Sequence, residues 1–435
     1  MREWQTSPLD ECLETLLDYR GKSPPKSENG IPVLSAKVVK TTGLLRPIEQ
    51  KIALDYYPKW MIRGLPRIGD IVMTTEAPMG EVIQLDEETV QYALGQRIIC
   101  LRGKPNKLDN KFLRYLLTSP TQQAILASYA TGTTVLGISQ KALRSVPITY
   151  PDLLQQKRIG GLLGALDDKI ELNRRMNETL EAMARAIFKD WFVDFGPTRA
   201  KMEGRAPYLV PDIWSLFPES LDANGKPKGW TGYSLDMLAT QHTASVTPAS
   251  SPDETFEHFS LPSYDVGQVP SQDRGGAIKS NKTLVPEGAI LLSKLNPEIE
   301  RVWLPQKATG KRQICSTEFL VFTPKANFAP SLLFGLFTEP SFRTMLQSMA
   351  TGTSKSHQRV SPPALLGRQV LLGSNLLFSR FAEQVEPLLG RILANRAESG
   401  ILASTRDLLL PKLMSGEVRV REASAAVEHR LAKAR

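Results

Sequence analysis

The chain has 435 residues, 41% of them apolar and 23% charged, which is enough for about two to four domains with real cores and excludes wholesale disorder. Its three cysteines, Cys12, Cys100 and Cys315, are far apart and offer neither a disulfide framework nor a zinc spacing, and no apolar run approaches the roughly 18–20 residues that cross a membrane. A net charge of +9 with a pI near 9.3 permits a polyanionic partner, but no segment is a polybasic tail, so any such binding must come from folded surfaces. The mixed, charged start is unlike a secretory leader, and a cytoplasmic location is expected.

In chain order, residues 1–150 read as a mixed α/β domain. "REWQTSPL" is an entry segment, "GDIVMTT" and "RIICLRG" are strand-like, and Asp109–Tyr129 is helical up to "ATGTT" at Ala130–Thr134. Residues 151–197 carry a long helix, and 198–228 are a Pro- and Gly-rich linker. Residues 229–372 then repeat the first domain: "KGWTGYSL", "GAILLSK", "EFLVFTP", a helical stretch near Pro330–Met349 and "ATGTS" at Ala350–Ser354. A second long helix and a tail occupy 373–435. Lys111–Thr134 and Ser331–Ser354 align without a gap and share ten of 24 residues, so the chain is one unit written twice. Taken alone, the Ala-Thr-Gly-Thr turn reads as a helix C-cap.

The long helices carry matched seams. Ile159, Leu163, Leu166, Ile170, Asn173, Asn177, Leu180, Ala184 and Ile187 alternate spacings of four and three. Phe381, Val385, Leu388, Ile392, Asn395, Ser399, Leu402, Arg406 and Leu409 repeat the pattern with the polar step in the same place. The expected arrangement is an antiparallel coiled coil of 151–191 with 376–414, with a buried asparagine fixing register. Pro387 is expected to kink or interrupt the second helix.

Motifs for chemistry are absent. No phosphate-cradling GxxxxGK[ST] occurs, and "NPEI" at Asn296–Ile299 lacks the second proline and aromatic that would grip a flipped base. Asp152, Asp167, Asp168 and Lys169 form a nuclease-like string, but Asp152 sits at a helix N-cap position and the others fall on a helix face. The four histidines form no metal-ligand spacing. The expectation is a recogniser, with no catalytic residue, cofactor or metal in this chain.

"TGTTVLGIS…LRSVPITYPDLLQQKRIGGLLGALDDKIELNRRMNETLEAMARAIFKDWFVDF", Thr131–Phe195, and "GKPKGW", Gly225–Trp230, resemble the specificity subunits of type I restriction-modification systems. The resemblance implies an α+β fold: two pseudo-symmetric target recognition domains separated by two long helices in an antiparallel coiled coil. Each domain would read one half of a bipartite, asymmetric double-stranded DNA target, and the coil would set the spacer. Two modification subunits would bring S-adenosylmethionine, and restriction subunits ATP and Mg2+. A self-contained methyltransferase–specificity fusion and a coiled-coil scaffold with no DNA role are the alternatives.

Candidate DNA contacts in the first domain are Lys37, Lys40, Arg63, Thr74, Thr75, Thr133 and Thr134. In the second they are Tyr264, Arg274, Lys279, Lys282 and Lys294, with Ser354, Lys355, His357, Gln358 and Arg359 in a loop where the first copy has "TVLGI". The aromatic run Phe188, Trp191, Phe192 and Phe195 reads as core packing beneath the adjoining domain or, functionally, as a docking surface for a modification subunit.

Overall fold

The computed structural model describes residues 4–432 except 20, 22, 133, 308–309 and 352–357. By packing, the chain divides into two units, unit 1 with residues 1–170 and 401–435 and unit 2 with residues 171–400. Each contains one α+β fold and part of both long helices, Leu153–Phe192 and Asn375–Met414, which have 40 residues each.

The doubling reaches the sheet topology. In unit 1 a four-stranded antiparallel sheet runs in the order Leu13–Asp18, Ile98–Gly103, Ile71–Thr75, Met79–Gln84. Unit 2 has the same order in Ala239–His242, Phe319–Pro324, Ile290–Ser293, Val302–Trp303. Each unit has a second sheet with one parallel pair, three-stranded in unit 1, where Ile31–Leu34 pairs with Ala93–Leu94, and five-stranded in unit 2, where Thr255–Phe259 pairs with Gln313–Cys315. The entry strands, Gln5–Pro8 and Thr231–Ser234, pair with the strands that lead into the long helices, Pro147–Tyr150 and Gln369–Leu372. The central strands are buried along their whole length except at half-buried Thr323 and Pro324, which fits their Ile, Val, Leu and Phe content.

Prolines act in two ways. The helical stretches expected as single pieces are each split in two, Asn110–Thr118 then Pro120–Ser128, and Pro330–Thr338 then Pro340–Ser348. Pro120 and Pro340 force the preceding residue out of helical geometry, so Ser119 and Glu339 become caps whose side chains accept backbone N–H groups of the next helix. Pro387, by contrast, does not interrupt the second long helix. It lies on an exposed face, where the carbonyl it leaves unpaired, on exposed Glu383, can be hydrated.

Within each unit the long helices pair antiparallel. In unit 1, Ile159, Leu163 and Leu166 share a core with Leu402, Leu409 and Leu413, and the C-terminal helix Val420–Ala432 adds Ala423 and Val427. In unit 2, Ala184, Phe188 and Trp191 share a core with Phe381, Val385 and Ile392, and Leu180, Ile187 and Leu388 pack at its margin. Ile170 is half-buried against the unit 1 core. The polar step is buried: Asn173 Nδ2 donates to Glu398 Oε2 at 2.8 Å and lies 3.3 Å from Ser399 Oγ, and Asn395 Nδ2 donates to Asn177 Oδ1 at 2.8 Å.

The segment after the first long helix, expected as a linker, is folded onto unit 2. Gly196–Met202 and Pro211–Trp214 are helical, and Ile213 and Phe217 enter the core beside Trp191.

Two outcomes are expected from this packing. Replacing both Asn173 and Asn395 by alanine removes the cross-helix donors seen at Glu398 and Asn177 and lowers the unfolding free energy read from urea titration by about 1–3 kcal/mol. Replacing both by leucine raises it, since an apolar layer is more stable than a polar one. In the five-stranded sheet of unit 2, burial lowers the pKa of His258 below 6.5, against the opposing pull of Asp273 at 2.8 Å. Lys282 adds to the lowering. A depressed histidine contributes stability that is present above about 6.5 and is lost as pH falls through its lower folded value. Thermal melts at pH 7.5 and 5.5 are therefore expected to show an acid loss in the wild type that is smaller in His258→Gln.

Candidate nucleic-acid interface

The Ala-Thr-Gly-Thr motif is the base of a hairpin in both units, which replaces the C-cap reading. In unit 1, Thr131 and Gly137 exchange backbone hydrogen bonds of 2.8 and 2.9 Å, and the Ile138 N–H donates to Thr75 O at 3.0 Å. In unit 2, Ala350–Thr351 pairs with Arg359–Val360, and the Val360 N–H donates to Lys294 O at 3.0 Å. Each return strand thus joins the end of a central strand, with Ile138 and Val360 buried beneath it. Gly132 is required for the turn: at φ +114° a side chain would meet the Val135 carbonyl at 2.2 Å. Thr134, Val135 and Leu136 at the first tip are exposed.

The candidate contacts fall into three groups. Thr133, Ser354, Lys355 and His357 lie outside the described residues. Lys37, Arg63, Thr134, Arg274, Lys279 and Arg359 are exposed, and Lys40, Lys294 and Gln358 are half-buried. Of the exposed cations, Lys37 pairs with Glu49 at 3.3 Å and Arg359 with Glu318 at 2.9 Å, both on the surface, where such pairs are worth little and exchange readily. Gln358 uses its carbonyl to accept the Asn296 N–H at 2.9 Å.

Four candidates are corrected. Thr74 and Thr75 are buried in the central strand, where Thr74 Oγ1 accepts the Glu81 N–H at 2.9 Å, so neither faces a ligand. Lys282 is buried with its ammonium on Ser280, and Tyr264 packs its ring 5.5 Å from Trp303. A polar residue type in a loop-like string does not reveal which way a strand pleat turns it.

Of the two readings of the aromatic run, the structure shows core packing for Phe188, Trp191 and Phe192. Phe188, Trp191 and Phe192 occupy successive positions on one helix face and meet Phe381 at 5.9, 5.8 and 5.2 Å, inside the unit 2 core. Phe195, at φ +55°, turns the chain and stacks edge-on against Trp230 at 5.5 Å. Phe188, Phe192 and Phe195 also border a cavity of about 290 Å³ with Leu336, Phe342 and Met345.

The nuclease-like carboxylates have structural partners. Asp152 Oδ1 accepts the Gln155 N–H at 3.0 Å as the N-cap of the long helix. Asp167 accepts from the Tyr115 hydroxyl at 2.6 Å, Arg114 at 2.9 Å and Arg406 at 2.6 Å, while Asp168 is exposed. They do not converge on one ion, and no group of three His, Cys, Asp or Glu among the described residues could hold a metal. All three thiols are buried, and burial pushes Cys315 up to about 12. Sequence reasoning missed a buried pair in unit 1: Arg102 grips Asp70 through two bonds of 2.7 Å and closes the turn into the central strand. The charge of Asp70 was visible, but its burial was not.

Among the described residues, no helix is long and apolar enough to cross a membrane. The family model of the type I restriction modification DNA specificity domain matches residues 1–182. Over 386 residues the chain is 26% identical to the type I restriction enzyme MjaIX specificity subunit of Methanocaldococcus jannaschii, covering 86% of this chain and 83% of that one. It is 24% identical over 405 residues to the type I restriction enzyme HindI specificity subunit of Haemophilus influenzae, covering 80% and 86%. Its fold is similar to the crystal structure of the type I restriction-modification S subunit from M. genitalium, with a TM-score of 0.54, 15% identity and coverage of 95% and 96%. With both long helices and both α+β folds in place, the chain is similar to type I restriction-modification specificity subunits over at least 80% of its length.

Proposed function

We propose that this chain selects the DNA sequence on which a type I restriction-modification enzyme acts, unit 1 reading one half-target and unit 2 the other. The observation that carries this reading is the repetition of one sheet order and one hairpin junction with different residues on the surface loops. Equal scaffolds with unequal surfaces suit a bipartite, non-palindromic target. Lys37, Lys40 and Arg63 in unit 1, and Arg274, Lys279 and Arg359 in unit 2, are the phosphate and base contacts in this reading.

The chain itself is non-catalytic in this reading. Methyl transfer from S-adenosylmethionine belongs to two modification subunits, and ATP- and Mg2+-dependent work to restriction subunits. The carboxylates and thiols that could have served chemistry here are capped, ion-paired or buried. Sequencing the modified bases of the host with and without the gene tests the assignment: a bipartite motif that vanishes with the gene supports it, and an unchanged set of motifs overturns it.

The helices set the unread spacer in this proposal. One extra heptad in each long helix preserves the seam and adds about 10.5 Å, or about three base pairs at 3.4 Å each. The expected motif keeps both half-targets and gains about three spacer bases, and an unchanged spacer excludes this role. Arg274→Ala with Lys279→Ala is expected to weaken recognition of one half-target and to lower the salt dependence of binding by about one counterion per lost phosphate contact. Equal loss at both half-targets would instead show a general defect.

A further inference from the structure

In unit 1 the segment 51–68 presents apolar side chains to water although it is firmly held. The Trp60 indole donates to Leu94 O at 2.8 Å, and Met61 is buried. The Tyr19 hydroxyl donates to Gly64 O at 2.7 Å and accepts the Arg63 N–H at 2.9 Å. Arg67 reaches Glu14 at 3.3 Å, and its N–H donates to Asp70 at 2.8 Å. The segment therefore follows the strand Leu13–Asp18 from its far end back to its start. Even so, Ile62, Leu65 and Ile68 are 78%, 60% and 63% exposed. A frayed loop could fold such side chains inward, whereas an anchored one holds them out, and grouped exposed aliphatics mark a contact surface.

Charge says what kind of contact. Lys51, Lys59, Arg63 and Arg67 stand against one carboxylate, Asp55, in this segment. That balance complements a polyanion. Position agrees, because the Tyr19–Gly64 anchor lies at the sheet end where Ile98 faces Thr74 and the hairpin return joins Thr75. The corresponding segment of unit 2, residues 275–289, has Ile278 and Val285 buried and no large exposed apolar side chain among its described residues.

We propose that Ile62, Leu65 and Ile68 pack into a groove of the half-target read by unit 1, against base edges and sugars, with Lys59 and Arg63 on backbone phosphates. Apolar side chains entering a groove in this way can also part a base step. The inference rests on unit 1 being a DNA-reading unit, and it makes the two units differ in how they hold DNA.

The test uses the full chain assembled with its modification subunits and duplexes in which either half-target is scrambled. Ile62→Ser, Leu65→Ser and Ile68→Ser together are expected to weaken binding about ten- to a hundredfold. Discrimination should be lost at the unit 1 half-target only, with the salt slope unchanged, because apolar contacts release no counterions. Lys59→Ala should instead lower the slope by about one. Unchanged affinity and discrimination in the triple variant overturn the proposal. So does a loss that tracks with modification subunits falling away, read from the mass of the complex, which would make the surface a protein interface. An unchanged thermal midpoint of the variant chain confirms that it folds. A wild-type complex that ignores both scrambled half-targets overturns the underlying reading, a result distinct from failure of the triple variant alone.

Discussion

A stripe of apolar side chains on a 40-residue helix cannot be covered by the helix that bears it, and much of the structure follows from how that stripe is buried. In unit 1 the cover is Leu402, Leu409 and Leu413, and in unit 2 it is Phe381, Val385 and Ile392. The pairing is antiparallel in both, so one helix start meets the other helix end. The buried asparagines hold the register, since a slip along the seam would leave several amide groups without partners.

One carboxylate in unit 1 and two in unit 2 tie the helices to each other and to the fold beside them. Asp167 bridges Arg406 on the partner helix and Arg114 with Tyr115 on the α+β fold. In unit 2, Glu181 takes Arg396 at 2.8 Å, while the neighbouring Arg185 reaches Glu300, which also binds Arg343. A charge held this way is costly to leave unpaired, so each junction resists partial disassembly.

The two folds use the same device at one edge of the sheet. A hairpin rises from the Ala-Thr-Gly-Thr turn and its return strand docks on the end of a central strand. The scaffold beneath is buried and nearly duplicated, while the outward loops are not. Unit 1 adds the anchored aliphatic segment, and unit 2 has a helix, Leu261–Gly267, and a second sheet of five strands. Shared cores with divergent edges allow one architecture to carry two specificities.

The sequence by itself determined the doubling, the strand cores and the helix seam, because each leaves a periodic or repeated record that needs no knowledge of partners. It also located the caps at Asp152 and the polar step at Asn173 and Asn395. Only the tertiary structure decided which faces were inside. Phe188, Trp191 and Phe192 could be core or a docking anchor from sequence, and they are core, since Phe381 arrives from 189 residues further along the chain than Phe192. Thr74, Thr75 and Lys282 looked available and are buried, because pleat direction depends on what packs above the sheet. Pro120 breaks its helix while Pro387 does not, a difference set by whether the freed carbonyl meets solvent within a helix already held by its neighbour. Burial is a property of pairs of segments, and one segment's letters do not contain it.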